Sequence, residues 1–206
     1  MAFGTELMQS VPHHDTQGRR LYLTADERRA FIAAAATADR PVRTLCTVLH
    51  DTGCRISEAL ALTPESVDLS GRAVMFESLK KRRRGIYRAV PVPPALLDSL
   101  DMVHGIREAQ KRGGQSDRLL WSWARNTAWR HVKAVMADAG IPDGPHRSPK
   151  GLRHGYGAIS SGVPLNMLSK WMGHATLEVT AIYANALGAE EHGIAARMWD
   201  QKLPYI

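Results

Sequence analysis

The chain has 206 residues, 44% apolar and 23% charged, an ordinary globular composition with enough apolar side chains for a core. Lys plus Arg number 27 against 20 Asp plus Glu, a net charge of +7 that fits a polyanionic partner. The two cysteines, Cys46 and Cys54, exclude a disulfide framework and a zinc site built on several thiolates. The longest apolar run, Ala30 to Ala36, is too short to span a bilayer. The N-terminus lacks a basic region followed by an apolar stretch, so the expectation is a protein of a reducing compartment with no membrane partner.

Residues 1–20 are polar and aperiodic and read as a flexible N-terminal arm. Thr24-Ala25-Asp26-Glu27 has the form of a capping box and predicts a helix to about Ala36. A second helical run covers Val42 to His50, Gly53 interrupts it, and Ile56 to Leu62 resumes the pattern. Pro64 stands at a first-turn position. From Ser66 the periodicity changes. Val67-Asp68-Leu69, Ala73 to Phe76 and Tyr87 to Val92 read as short strands separated by a Ser70-Gly71 turn and a hairpin loop over Lys80 to Gly85. Helical patterns follow at about 94–112, 124–139, 150–161, 164–172, 177–186 and 189–199. The prediction is an α+β fold, mainly helical, with a small antiparallel sheet near the N-terminal third.

Four stretches carry candidate chemistry. Arg55, in Thr52-Gly53-Cys54-Arg55-Ile56-Ser57-Glu58, follows a helix break and opens the next helix, where a guanidinium can be aimed at a phosphate that the helix N-terminus also favours. Glu58, one turn on, is placed to hold that guanidinium or to cap the helix. Lys80, Lys81, Arg82, Arg83, Arg84 and Arg88 put six cations within nine positions. They are either a solvated loop or a hairpin tip that tracks a nucleic-acid backbone. Lys150 and Arg153, three apart, share a helix face and supply the second arginine that a phosphoryl-transfer site without metal needs. His174 and Tyr183 are nine apart. On one unbroken helix they would lie on opposite faces, so they converge only if Gly173 and Thr176 mark a break.

Together, in this order and spacing, these stretches resemble the tyrosine recombinases, the phage-integrase superfamily of DNA strand-transfer enzymes, from about Leu21 to Met198. The first box, Thr-Gly-x-Arg-x-Ser-Glu-Leu in the family, is Thr52 to Ala59 here, with Ala59 at the Leu position. The family's hairpin lysine matches Lys80, with Lys81 as the alternative. The second box is Lys150-Gly151-Leu152-Arg153-His154, with Lys150 where His is usual. The third is Met172-Gly173-His174 followed by Tyr183. A lysine at position 150 donates to phosphate but is a poor base at neutral pH.

The resemblance implies that Tyr183 attacks a DNA phosphorus, leaving a 3′-phosphotyrosyl bond and a free 5′-hydroxyl. Arg55 and Arg153 then hold the non-bridging oxygens, with His174 positioning the phosphate. Lys80 protonates the leaving oxygen, and Lys150 contacts the phosphate or the tyrosyl oxygen. Glu58 and His154 support, and Lys81, Arg82, Arg83, Arg84 and Arg88 contact DNA. It implies no cofactor and no metal, in keeping with a sequence that has neither a Walker loop nor a metal-spaced cluster. The expected partners are double-stranded DNA, further copies of the chain in a tetramer, and an accessory DNA-bending protein, at the nucleoid in the cytoplasm. About fifty residues precede Arg55, so residues 21–206 are expected to be a catalytic domain without a separate core-binding domain. That plan is similar to the fimbrial phase-inversion recombinases. The rival reading is a DNA-binding regulator or architectural protein that keeps the fold without the chemistry.

Overall fold

The computed structural model describes residues 13–77, 85–112, 118–159 and 163–173. Helices α1 (Ala25–Thr37), α2 (Arg40–Thr52) and α3 (Ile56–Ala59) are followed by a single 3-10 turn at Pro64–Ser66. Strands β1 (Val67–Asp68), β2 (Ala73–Glu77) and β3 (Tyr87–Pro91) come next, then α4 (Pro94–His104), α5 (Ile106–Lys111), α6 (Arg125–Asp138), α7 (Pro149–Ile159) and α8 (Leu165–Met172). The expected α+β class is what is observed. The predicted helices at 177–186 and 189–199 and the loop over Lys80 to Arg84 lie outside the described residues.

Local chemistry explains most boundaries. The Thr24–Glu27 box closes in both directions: the Glu27 amide donates to Thr24 Oγ1 at 3.3 Å and the Thr24 amide to Glu27 Oε2 at 2.9 Å. Arg20 adds a hydrogen bond to Glu27 Oε1 at 2.6 Å, and the backbone pairs Leu21 with His13 and His14 with Arg20. The polar stretch from His13 is therefore stitched to the start of α1. The single helix read over 94–112 is two, because Gly105 takes a left-handed φ of 65° and ends α4. Asp101 then accepts from the Arg107 amide at 2.8 Å and satisfies one of the open donors at the start of α5. The helix read over Ile56 to Leu62 closes after Ala59, short of Thr63-Pro64.

Helix α2 is central and packs against α1, α4, α6 and α7. Its buried Leu45, Cys46, Val48 and Leu49 meet Phe31, Leu100, Val132 and Leu152 in one continuous core. The sheet runs β1-β2-β3, antiparallel throughout, with Val67 opposite Val74 and Val74 opposite Val90. That register puts Val67, Val74 and Val90 on one inner face. Arg28 is 6% exposed and joins three helices, donating to the carbonyls of Leu152 at 2.8 Å and His50 at 2.9 Å. Burial lowers its pKa to about 10, against the smaller opposing influence of Asp51.

Helix α7 approaches its neighbours too closely for ordinary side chains. A Cβ at Gly151 would overlap the carbonyl oxygen of His146, and one at Gly155 the carbonyl of Leu23. Both obstacles are backbone, so the helix itself has to shift. Gly151→Ala is expected to destabilise the protein by about 2–3 kcal/mol, the usual cost of overpacking. Gly105→Ala, with open space around its Cβ, carries only the left-handed strain of about 1 kcal/mol. Urea melts of the two variants check the contrast, and equal midpoints would show that α7 is free to move.

Candidate phosphate-binding cleft

Thr52 closes α2, and Gly53 turns the chain with a left-handed φ of 58°. A Cβ there would stand 2.5 Å from Tyr156 Cδ1, so the turn is pressed against α7. The chain re-enters a helix at Arg55, whose amide donates to Glu58 Oε2 at 2.8 Å while its Nη1 donates to Glu58 Oε1 at 2.8 Å. Glu58 thus caps α3 and aims Arg55, as the spacing predicts. Glu58 is 2% exposed. Burial pushes its carboxyl up, but the hydrogen bond and charge of Arg88, with Arg55, bring it below the usual carboxylate range.

Arg153 projects from α7 and is buried. Its Nη1 donates to the Gly53 carbonyl at 2.5 Å and its Nη2 to the Met172 carbonyl at 2.7 Å. One planar fork therefore ties the turn before Arg55 to the end of α8. Lys150 lies one turn earlier and is exposed. His154 is buried, and burial, with the charges of Lys150 and Arg153, lowers its pKa to about 4. It is therefore neutral at pH 7.

Arg55, Ile56, Ser57, Arg125, Trp129, Ser148, Pro149, Lys150, Arg153 and His154 line an open cleft of about 570 Å³. Arg55 at the start of α3, Arg125 at the start of α6, and Ser148 and Pro149 at the start of α7 bring three helix N-termini to it. Ser148 Oγ accepts from the Gly151 amide at 3.1 Å and caps α7. Helix N-termini carry partial positive charge, and the described lining adds Arg55, Arg125, Lys150 and Arg153 with no carboxylate. Cations at helix starts run against the dipole. Donors and dipoles gathered on one cleft in this way suit an anion.

The structure brings Arg55, Glu58, Lys150, Arg153 and His154 together. Arg88, expected on a DNA-contacting surface, is 8% exposed and engaged with Glu58 and the Trp171 carbonyl. Lys80, Lys81, Arg82, Arg83, Arg84, His174 and Tyr183 lie outside the described residues. Sequence reasoning passed over Arg125 and Trp129. Arg125 had a signal, a cation opening a helix whose first turn holds no acid.

The phage integrase family profile matches residues 21–190. Tyrosine recombinase XerD of Mycobacterium leprae is 32% identical over 193 residues, covering 82% of this chain and 58% of that protein. The chain thus spans under two thirds of that relative's length. Among solved structures, that of XerA recombinase superposes with a TM-score of 0.71 at 21% identity, covering 94% of this chain and 68% of that one. The pre-cleavage complex of XerH recombinase with its difH substrate gives a TM-score of 0.67 at 19% identity, covering 91% and 60%.

Proposed function

The chain belongs to the phage integrase family, and from that premise we propose that it is a site-specific DNA recombinase working through a 3′-phosphotyrosyl intermediate. The observation that carries the reading is the cleft in which Arg55, Arg125, Lys150 and Arg153 meet three helix N-termini. A phosphate on an extended polyanion fits that lining. The XerH structure is bound to its difH substrate and the Tn1549 integrase structure is in complex with transposon right end DNA, which supports double-stranded DNA as the partner here.

A phenol is a weak nucleophile at neutral pH, so the phosphorus has to be made electrophilic. Arg55 and Arg153 neutralise the non-bridging oxygens as charge grows on them in the transition state. Arg55 is held for this by Glu58, and Arg153 by two backbone carbonyls. Such anchoring means little reorganisation at the moment of reaction. Lys150, exposed in the cleft wall, donates to the phosphate or to the tyrosyl oxygen. His174 positions the phosphate. Tyr183 Oη gives up its proton to solvent as it forms the bond to phosphorus, and the bond to the 5′-oxygen breaks. Lys80, or Lys81 beside it, delivers a proton to that oxygen. Attack by a second 5′-hydroxyl restores a phosphodiester, with paired exchanges in a tetramer on DNA and an accessory protein bending the site.

The test uses labelled duplexes tiled across the DNA flanking the gene, each with a nick that traps cleavage, resolved on a denaturing gel. The wild type is expected to form a covalent 3′ adduct that Tyr183→Phe does not. Specific binding without an adduct on nicked or supercoiled substrate would replace this reading with that of a non-catalytic DNA-binding protein.

A further inference from the structure

Arg88 belongs to none of the cleft walls, yet its contacts join the parts that make them. Strand alternation places it on the inner face, two residues from buried Val90 and opposite Phe76. Its Nη2 donates to Glu58 Oε2 at 2.7 Å, its Nη1 to Glu58 Oε1 at 3.3 Å and its Nε to the Trp171 carbonyl at 2.8 Å. The guanidinium carbon lies 5.0 Å from the centre of the Phe76 ring. A Cβ at Gly173 would stand 3.0 Å from Nη1, so the fork is closely packed against the end of α8 as well.

The last carbonyls of a helix have no partners within it. At the end of α8 two of them are taken by guanidiniums, Trp171 by Arg88 and Met172 by Arg153. The same two arginines reach the first box, Arg88 through Glu58 and Arg153 through the Gly53 carbonyl. A buried ion pair is weak evidence for stability, because well-packed apolar residues often do as well. What an apolar replacement cannot supply is direction.

We propose that Arg88 is a positioning residue for strand cleavage. It holds Glu58 against Arg55 and, with the same planar group, the Trp171 carbonyl. Arg55 is thereby set in register with the point from which the chain continues toward His174 and Tyr183. The inference rests on the strand-cleavage reading above. A lysine keeps the charge beside Glu58 but lacks a planar fork that serves both partners.

The experiment compares wild type, Arg88→Lys, Arg88→Gln and Gly105→Ala on the nicked duplex. It reads single-turnover adduct formation, duplex Kd, and the folded fraction by near-UV circular dichroism. Arg88→Lys is expected to slow adduct formation by about ten- to a hundredfold, the effect of a small misplacement of reacting groups. Its duplex Kd is expected to stay within about threefold of wild type, so that the loss falls on the chemical step. Arg88→Gln should be at least as slow per folded molecule. Gly105→Ala, strained but outside this network, should keep the wild-type rate per folded molecule. An Arg88→Lys protein as fast as wild type would overturn the inference and leave the cleavage reading standing. So would one whose losses simply track its folded fraction, or one that does not fold. A wild type that forms no adduct would overturn both.

Discussion

Arg153→Ala is expected to lower covalent adduct formation by about a hundred- to a thousandfold, the usual consequence of deleting one preorganised donor at a developing oxyanion. The same change weakens the fold, because the guanidinium is buried and donates to the carbonyls of Gly53 and Met172. Each buried acceptor left without a donor costs about 1–3 kcal/mol, less where water enters the space. The two effects separate with Arg153→Lys. An ammonium restores charge to the cleft but is a point donor in place of a fork, so part of the rate should return while the urea midpoint stays low. Single-turnover kinetics and urea melts of the three proteins check this. Wild-type rate and midpoint in Arg153→Ala would remove the arginine from both roles.

Glu58→Ala is expected to be the most destabilising of these changes, by about 3–5 kcal/mol, because it leaves the Arg88 guanidinium buried without its carboxylate. Arg55 also loses its side-chain partner and α3 its cap. Glu58→Gln still fills the space and accepts from the guanidiniums, so its loss should be smaller. The pH dependence has a definite sign. The folded carboxyl lies below its ordinary value of 4.5, so its contribution is fully present above about 4.5 and is lost as pH falls through the folded value. Wild type and Glu58→Gln should therefore converge in stability under acid and diverge toward neutrality. Denaturation at a series of pH values tests it, and a constant gap would show that the charge on Glu58 contributes nothing.

Much of the frame was legible because it is written in short-range chemistry. The Thr24–Glu27 box, the stop at Gly53, the turn at Ser70-Gly71 and the start at Pro94 each depend on residues a few positions apart. Arg55 with Glu58, and Lys150 with Arg153, were legible for the same reason: spacings of three on a helix set a shared face. The division at Gly105 was harder, since apolar periodicity continues through Ile106 and the break shows in one backbone angle. Arg88 was misplaced because a run of cations suggests a solvated hairpin. Its alternation with Val90 was the stronger signal, and it points inward.

By itself, then, the sequence determined the α+β class and the order of the helices as far as Met172, and its motifs carried the resemblance to the family that the profile matches. The class and the helix order follow from period and capping, which act over a few residues. Only the tertiary structure decided that Arg125 and Trp129 join the cleft from α6, that three helix N-termini converge there, and that the Arg153 fork spans Gly53 and Met172. It also decided that Arg28 fastens α1 to α2 and α7 through their carbonyls. These contacts join residues up to 124 positions apart, and no local rule relates such positions. They arise because each buried carbonyl or guanidinium has to find a partner wherever packing of the core brings one within reach.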